Sequence, residues 1–169
     1  MQFKLFALAA LATSVVAAAD IKSALEAVGA ATIQLNKTVT AYQGGLLGLI
    51  PITTDALCLL NDINQGTRTA KASAPLNYEA ALDIASSVGN LANSVDDVIN
   101  NFIRTKPKFD KLLIVTPIIK GTLETQRAAT ADLSKAVLAK TPTELAEIAA
   151  ILVKQIDDKF AEGIKVYSK

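Results

Sequence analysis

The chain has 169 residues, with 17 Lys and Arg against 16 Asp and Glu, no histidine and a single cysteine. A nearly neutral chain has no surplus of cations to neutralise phosphates, which argues against nucleic acid or anionic lipid surfaces as partners. The lack of histidine excludes Ser-His-Asp and Cys-His pairs and imidazole metal ligands, and one cysteine excludes an internal disulfide. We therefore expect a protein that is not an enzyme, with no catalytic residue, metal or cofactor.

The first nineteen residues are typical of a secretory signal peptide. Lys4 precedes an apolar run over 5–16, and Ala17 to Ala19 supply the small residues that a signal peptidase requires. The run is too short to cross ~30 Å of hydrocarbon comfortably. We predict a signal peptide over 1–19, removed on secretion, and a single domain over 20–169.

The remaining sequence predicts helix almost throughout. One apolar stripe spaced by threes and fours indicates a first helix over about 20–43, which Gly44 and Gly45 end. The segment 46–52 follows and is apolar on every side, with Gly48 and Pro51 inside it. We do not expect a regular amphipathic helix there.

A second helix is predicted from Thr53 or Thr54 to Ala72, and a third over about 77–104. The predicted inward residues of the second helix are Leu57, Leu60, Ile63 and Asn64. The third helix has Asn77 as its N-cap, and its predicted stripe is Tyr78, Leu82, Ala85, Val88, Leu91, Val95, Ile99 and Phe102. Residues 105–108, with Pro107, are expected to break the pattern.

The fourth segment covers about 108–140, and Pro117 should kink it or divide it in two. Thr141 as N-cap, Pro142 and Glu144 predict the start of a fifth helix. Its stripe is Leu145, Ile148, Leu152, Ile156, Phe160, Ile164 and Tyr167. Five amphipathic helices joined by short turns predict an all-α fold, an antiparallel bundle.

Two segments, 46–52 and 112–119, are more apolar than a helix in water requires. They are either simply buried, or they line or gate an apolar cavity, or they adsorb to an apolar surface. The candidate ligand contacts in these segments are Leu46, Leu49, Ile50, Leu112, Val115 and Ile119. Outside them, the polar or amphipathic residues Thr32, Tyr42, Tyr78, Gln126 and Thr130 are further candidates, each with ordinary core packing as the alternative.

Cys58 lies in an apolar stretch, which predicts a buried and inert thiol, with an intermolecular disulfide as the alternative. Asn36-Lys37-Thr38 is the only glycosylation sequon, so Asn36 either carries a glycan or is an unmodified residue of a helix surface.

Five motifs occur in a characteristic order: AYQGG at 41–45, LNYEAALDIA at 76–85, IRTKPKFD at 103–110, LETQRAAT at 123–130 and KTPTEL at 140–145. Their order and spacing resemble the fungal hydrophobic surface binding protein A family, which includes the cell wall galactomannoproteins. The resemblance covers nearly all of the chain after residue 19. It identifies no ligand motif that could be transferred residue by residue.

The resemblance implies a secreted helical bundle that adsorbs to hydrophobic surfaces, can recruit a lipolytic enzyme there, and in wall mannoproteins encloses fatty acids between its helices. We therefore expect a non-catalytic binder of fatty acids or similar lipids in an apolar cavity. The alternatives are adsorption to hydrophobic surfaces with recruitment of a lipolytic enzyme, and a structural or antigenic cell-wall mannoprotein. The sequence has no Ser/Thr-rich tail or anchor, so we expect free secretion or a loose association with the wall.

Overall fold

In the computed structural model, residues 3–112 and 114–168 are described, with side chains of the first helix from Ala18 onward. The described residues form five α-helices: α1 (Phe3–Ala41), α2 (Leu49–Ala72), α3 (Tyr78–Phe109), α4 (Val115–Leu138) and α5 (Ala146–Val166). A 3₁₀ turn at Thr143–Leu145 precedes α5. The predicted all-α bundle is confirmed. Within the described residues, no helix combines the length and the apolar composition that a membrane span requires.

The five helices form a closed ring in the order α1, α3, α5, α4, α2, so that each helix packs mainly on two neighbours. Consecutive helices run in opposite directions, as predicted. Neighbours in the ring are nevertheless often parallel, because α1 packs beside α3, α3 beside α5 and α2 beside α4. The first helix of the ring buries the predicted stripe from Ile21 to Tyr42 almost completely.

One end of the ring is filled by an aromatic cluster, which consists of Tyr42, Phe102, Phe109 and Tyr167. The rings of Tyr42 and Phe109 stack with centroids 4.7 Å apart, and Phe109 lies 6.4 Å from Phe102 and 6.5 Å from Tyr167. The chain turns sharply at this end, where Gly44 and Gly45 have φ angles of 112° and 80° that side chains rarely adopt. All four aromatic residues are almost completely buried.

Both prolines that were expected to interrupt helices lie close to helix ends. Pro107 does not break α3, which continues to Phe109, because the buried Phe109 stacks on Tyr42 and stabilises the last turn. The predicted fourth segment is divided just before Pro117: residues 108 and 109 end α3, and α4 begins at Val115. Pro117 itself is the third residue of α4, where a backbone N–H has no partner within the helix and its loss costs little.

The second helix begins four residues earlier than predicted, at Leu49, with no side-chain cap. Thr54 donates its hydroxyl to the carbonyl of Ile50, 3.0 Å away, so it does not cap the helix. The inward face contains Ile52, Ala56, Leu59 and Ile63. The prediction that Leu57 and Asn64 point inward is therefore wrong.

The cysteine lies on the outer face of α2, beside Leu57. Cys58 is exposed, so the prediction of a buried thiol is wrong.

The predicted capping box of the fifth helix does not form. Thr141 donates its hydroxyl to the carbonyl of Val137, 3.0 Å away, and so extends the end of α4. The 3₁₀ turn then carries the chain into α5 at Ala146. At the same end of the bundle, the backbone amide of Leu76 donates to the carbonyl of Lys140 at 2.9 Å. This hydrogen bond joins the α2–α3 connection to the α4–α5 connection.

The hydroxyl of Tyr167 connects α5 to α3. It donates to the backbone carbonyl of Phe102 at 2.6 Å, and burial raises the pKa of this tyrosine. We expect Tyr167→Phe to lower the free energy of unfolding by about 1 kcal/mol, the net worth of one buried hydrogen bond. Urea unfolding would measure this. Tyr78→Phe is the control because Tyr78 is exposed, and equal stability of the two variants would contradict the prediction.

Candidate ligand-binding cavity

An apolar cavity lies between α3, α4 and α5, in the half of the bundle away from the aromatic cluster. Thr130 and Ser134 are among the few polar residues in its wall. The apolar side chains that surround it come from three helices and the 3₁₀ turn, with Leu25 of α1 at the back: Ala81, Leu82, Ile84, Ala85, Val88, Leu91, Leu133, Val137, Leu138, Leu145, Ile148, Ala149, Leu152, Val153 and Ile156.

The cavity exists because small residues stand where large ones would fill the ring. Ala81 and Ala85 on α3 face Ala149 on α5 across it, and none of the aromatic cluster reaches this level. The cavity has a volume of about 60 Å³. Ligand pockets commonly measure ~300 Å³ or more, so a long ligand must spread these helices apart.

Two large apolar side chains on the cavity wall are half exposed to solvent. Leu82 of α3 is 44% exposed and Ile148 of α5 is 53% exposed, although both line the cavity. We call the opening beside them the α3–α5 mouth. An apolar ligand that entered the cavity here would cover this exposed apolar surface and remove it from water, which is favourable.

A second opening lies between α4 and α5, which we call the α4–α5 groove. The groove and the cavity share Thr130, Ser134, Leu138, Val153 and Ile156 as walls, so the two spaces adjoin through the contact of these helices. Arg127, Lys135 and Asp157 also line the groove.

Arg127 and Asp157 form a two-point ion pair across the groove. Nε donates to one carboxylate oxygen at 2.6 Å, and an Nη donates to the other at 2.7 Å. This hydrogen bonding lowers the pKa of Asp157 below its usual range and raises that of Arg127. Because both side chains are partly exposed, the pair orders the contact between α4 and α5 more than it stabilises the fold.

Of the residues predicted to contact a ligand, the structure places only Thr130 on the wall of this cavity. Three of the other polar candidates are hydrogen-bonded inside the core. Thr32 donates to the carbonyl of Val28 at 2.7 Å, Gln126 donates to that of Ala56 at 3.3 Å, and Tyr42 donates to that of Gly45 at 3.1 Å.

The apolar candidates and Tyr78 are divided between the core and the surface. Val115 and Ile119 are buried, and Leu49 and Leu112 pack against the core. Tyr78, Leu46 and Ile50 are exposed. The structure does not bring these residues together at the cavity.

Apolar periodicity predicts the stripes of the third and fifth helices but does not indicate that they line a ligand cavity. These stripes supply Leu82, Ala85 and Val88 on one side of the cavity and Ile148 and Leu152 on the other. The available signal was alanine within an otherwise large apolar stripe, because a small inward residue leaves space unless a neighbour fills it.

The sequon is part of two helix contacts. The Asn36 side-chain oxygen accepts from the amide of Asn101 on α3, and the hydroxyl of Thr38 donates to Asp55 on α2 at 2.5 Å. A glycan on Asn36 stays a prediction, and it would have to coexist with the half-buried position of this side chain.

The sequence matches a known protein family. The profile of "Hydrophobic surface binding protein A" matches residues 18–139. The chain belongs to this family.

Curated members of the family that resemble this chain are wall proteins. The chain is 33% identical over 144 residues to "Cell wall mannoprotein 1" of Aspergillus fumigatus, covering 83% of this chain and 48% of that protein. A protein of the same name from Aspergillus flavus is 27% identical over 80% of this chain and 49% of the relative. The chain thus spans about half the length of the curated relatives it matches.

Solved structures share the fold. Ligand binding domain 1 of Penicillium marneffei MP1, complexed with arachidonic acids, superposes with a TM-score of 0.83 at 26% identity, over 88% of this chain and 96% of that one. AFMP4P in complex with palmitic acid gives a TM-score of 0.86 at 23% identity, over 89% and 99% of the two chains. The second likeness supports the fold alone.

The Arg127–Asp157 pair predicts a dependence of stability on pH. A carboxyl whose pKa is lowered in the folded state contributes stability above its ordinary pKa of 3.8, and this contribution is lost as pH falls through the lowered value. Asp157→Asn should therefore be less stable than the natural protein at about pH 7, with the difference shrinking at about pH 2. Urea unfolding at both pH values measures it, with the exposed Asp83→Asn as control. A difference independent of pH would contradict the prediction.

Proposed function

We propose that this protein binds long-chain fatty acids or similar lipids, without catalysis, in the cavity between α3, α4 and α5. The observation that carries the proposal is an apolar cavity whose mouth leaves Leu82 and Ile148 half exposed. The MP1 domain complexed with arachidonic acids, which this chain matches over 96% of its length, supports the same ligand class.

The energetics favour an acyl chain as the occupant. Each buried methylene contributes ~0.8 kcal/mol, so a chain of moderate length supplies enough free energy to spread the helices without a specific polar contact. Spreading is easiest in the half that contains the cavity. Among the described side chains, the hydrogen bonds and ion pairs between different helices lie on the aromatic side of the cavity, at residues such as Asp55, Asp96 and Arg127.

A cavity-filling substitution tests the proposal with a matched neighbour as control. Ala149 lines the cavity, whereas Ala150 next to it is exposed. We expect Ala149→Leu to weaken palmitate binding by about tenfold or more, because its added carbons take the place of ligand, while stability changes by no more than about 1.5 kcal/mol. Ala150→Leu should bind as the natural protein does.

Displacement of a fluorescent fatty acid from delipidated protein measures both affinities, and native mass spectrometry reports any lipid retained from the host. Equal affinities for the two variants would place the ligand elsewhere. Natural protein that neither retains lipid nor takes up palmitate would refute fatty-acid binding itself.

A second candidate function, adsorption to hydrophobic surfaces, is favoured by a separate observation. Exposed large apolar residues gather at the aromatic end, where α2 and α4 both begin. We call them the apolar patch: Leu46, Leu47, Ile50, Ile114 and Ile118. Leu47 alone is 82% exposed. Several exposed large apolar side chains at one end of a bundle are typical of an interaction surface.

The patch makes a prediction that is independent of the cavity. The double variant Leu47→Gln/Ile118→Gln should adsorb several-fold less to an apolar film on a quartz microbalance, because the patch loses two exposed apolar side chains, with palmitate affinity unchanged. Ile33→Gln, an exposed apolar residue in the middle of α1, is the control. Equal adsorption by all three proteins would count against this function. Recruitment of a lipolytic enzyme to the coated film stays a prediction, which co-adsorption of such an enzyme would test.

We propose that the chain acts outside the cell, free or loosely associated with the wall, after removal of residues 1–19. The curated relatives are named as cell wall proteins, and the family match begins at residue 18. Secreted protein recovered from culture medium should begin between Ala18 and Asp20, since the predicted cleavage lies among Ala17 to Ala19. N-terminal sequencing decides this, and retention of Lys4 in the secreted form would contradict it. A structural or antigenic role in the wall remains the alternative if neither binding activity is found.

A further inference from the structure

We infer that Arg127, with the hydroxyls of Thr130 and Ser134, forms the subsite for the carboxylate of a bound fatty acid, in the α4–α5 groove. The inference rests on the proposed function and deepens it, because it states which opening receives the charged end of the ligand.

The three residues stand on one face of α4. Positions 127, 130 and 134 are three and four apart, so their side chains follow one another along the helix. All three line the groove, and Thr130 and Ser134 also line the cavity. Thr130 and Ser134 therefore lie beside the apolar cavity, and the Arg127 guanidinium lies at the edge of solvent. A fatty acid bound along this row would have its tail in the cavity and its carboxylate at Arg127.

The hydroxyls in this row have no hydrogen-bond partner among the described residues. Thr130 is only 8% exposed, yet it does not donate to the carbonyl one turn back as the buried Thr32 and Thr67 do. Ser134 is half-buried and has no partner in the described part of the chain either. Two unpaired hydroxyls beside an apolar cavity provide donors for a ligand oxygen.

The guanidinium retains donors for a second carboxylate. Its pair with Asp157 uses Nε and one Nη, whereas a guanidinium carries five N–H donors. Lys135 also lines the groove, but its amine lies 3.7 Å from Asp132, which largely balances its charge. The attraction for a fatty-acid carboxylate at this opening therefore comes from the donors of Arg127 that Asp157 leaves unused.

The α3–α5 mouth is bordered by carboxylates. Glu79 and Asp83 flank Leu82 along the chain, Glu144 and Glu147 flank Ile148, and no Lys or Arg lies within four residues of either. Carboxylates at this mouth repel the charged end of a fatty acid but do not oppose a neutral tail. The two openings therefore favour a single orientation, with the carboxylate in the α4–α5 groove.

Calorimetric titration with laurate and its uncharged methyl ester tests the subsite. Arg127→Met keeps most of the packing of the side chain and removes the charge. We expect laurate to bind about tenfold more weakly, the worth of one partly solvated charge-assisted hydrogen bond, and the ester to bind as before. Arg68→Met, on a helix that does not line the cavity, should leave both affinities unchanged.

The outcomes separate the subsite from the proposed function. Unchanged laurate binding, or an equal loss for acid and ester, would overturn the subsite and leave the cavity in place. Natural protein that binds neither ligand would refute the proposed function instead. Should Arg127→Met fail to fold, Thr130→Val removes one hydroxyl at nearly constant volume. It should weaken laurate binding about threefold at an unchanged unfolding temperature, and unchanged laurate binding would overturn the subsite.

Discussion

Five helices packed in a closed ring enclose a central space that only large side chains can fill. This chain has few such residues, with three Tyr, five Phe and no Trp in its whole length. Tyr42, Phe102, Phe109 and Tyr167 are gathered at one end, where the rings contact one another. The other end relies on Leu, Val, Ile and Ala, and these do not fill the ring. The cavity is thus a consequence of where the aromatic residues stand, and it lies in the half of the bundle that lacks them.

A polar contact ties each pair of neighbouring helices. Thr38 bonds Asp55 between α1 and α2, and Asn101 bonds Thr40 between α1 and α3. Asp96 pairs with Lys159 between α3 and α5. The ring is completed by Arg127 with Asp157, and by Gln126 with the carbonyl of Ala56. Each contact contributes modestly to stability, but a hydrogen bond forms only over a narrow range of distances and so restricts how far each helix can shift along its neighbour. Where these contacts end, the helices are held by apolar packing, which tolerates rearrangement.

The number, order and class of the elements could be predicted from the sequence because apolar periodicity dominates α1, α3 and the second half of α4. The inward face of α2 was only partly predictable: Ile63 is buried as predicted, but Leu57 is as apolar as Ile52 and Leu59, and only packing decides between them. The sequence pattern predicts a break at Pro107 because the burial of Phe109, which stabilises the last turn of α3, is not visible in a local pattern. The site was only partly predictable for a deeper reason. A cavity is a volume that several helices together leave unfilled, so its walls cannot be read from any one helix. Thr130 could be proposed as a contact because a polar residue interrupts its own apolar stripe, whereas the residues opposite it on α3 and α5 carry no such mark.

Unfilled space also affects how long the folded molecule persists. A small extracellular protein usually resists unfolding through disulfides, and this sequence has one exposed cysteine and therefore none within the chain. Any occupant that binds the folded form alone adds stability that grows with the logarithm of its concentration. An acyl chain lying between α3, α4 and α5 would act as a removable part of the core. The lifetime of the protein would then follow the supply of lipid around it, with the empty form the first to be degraded.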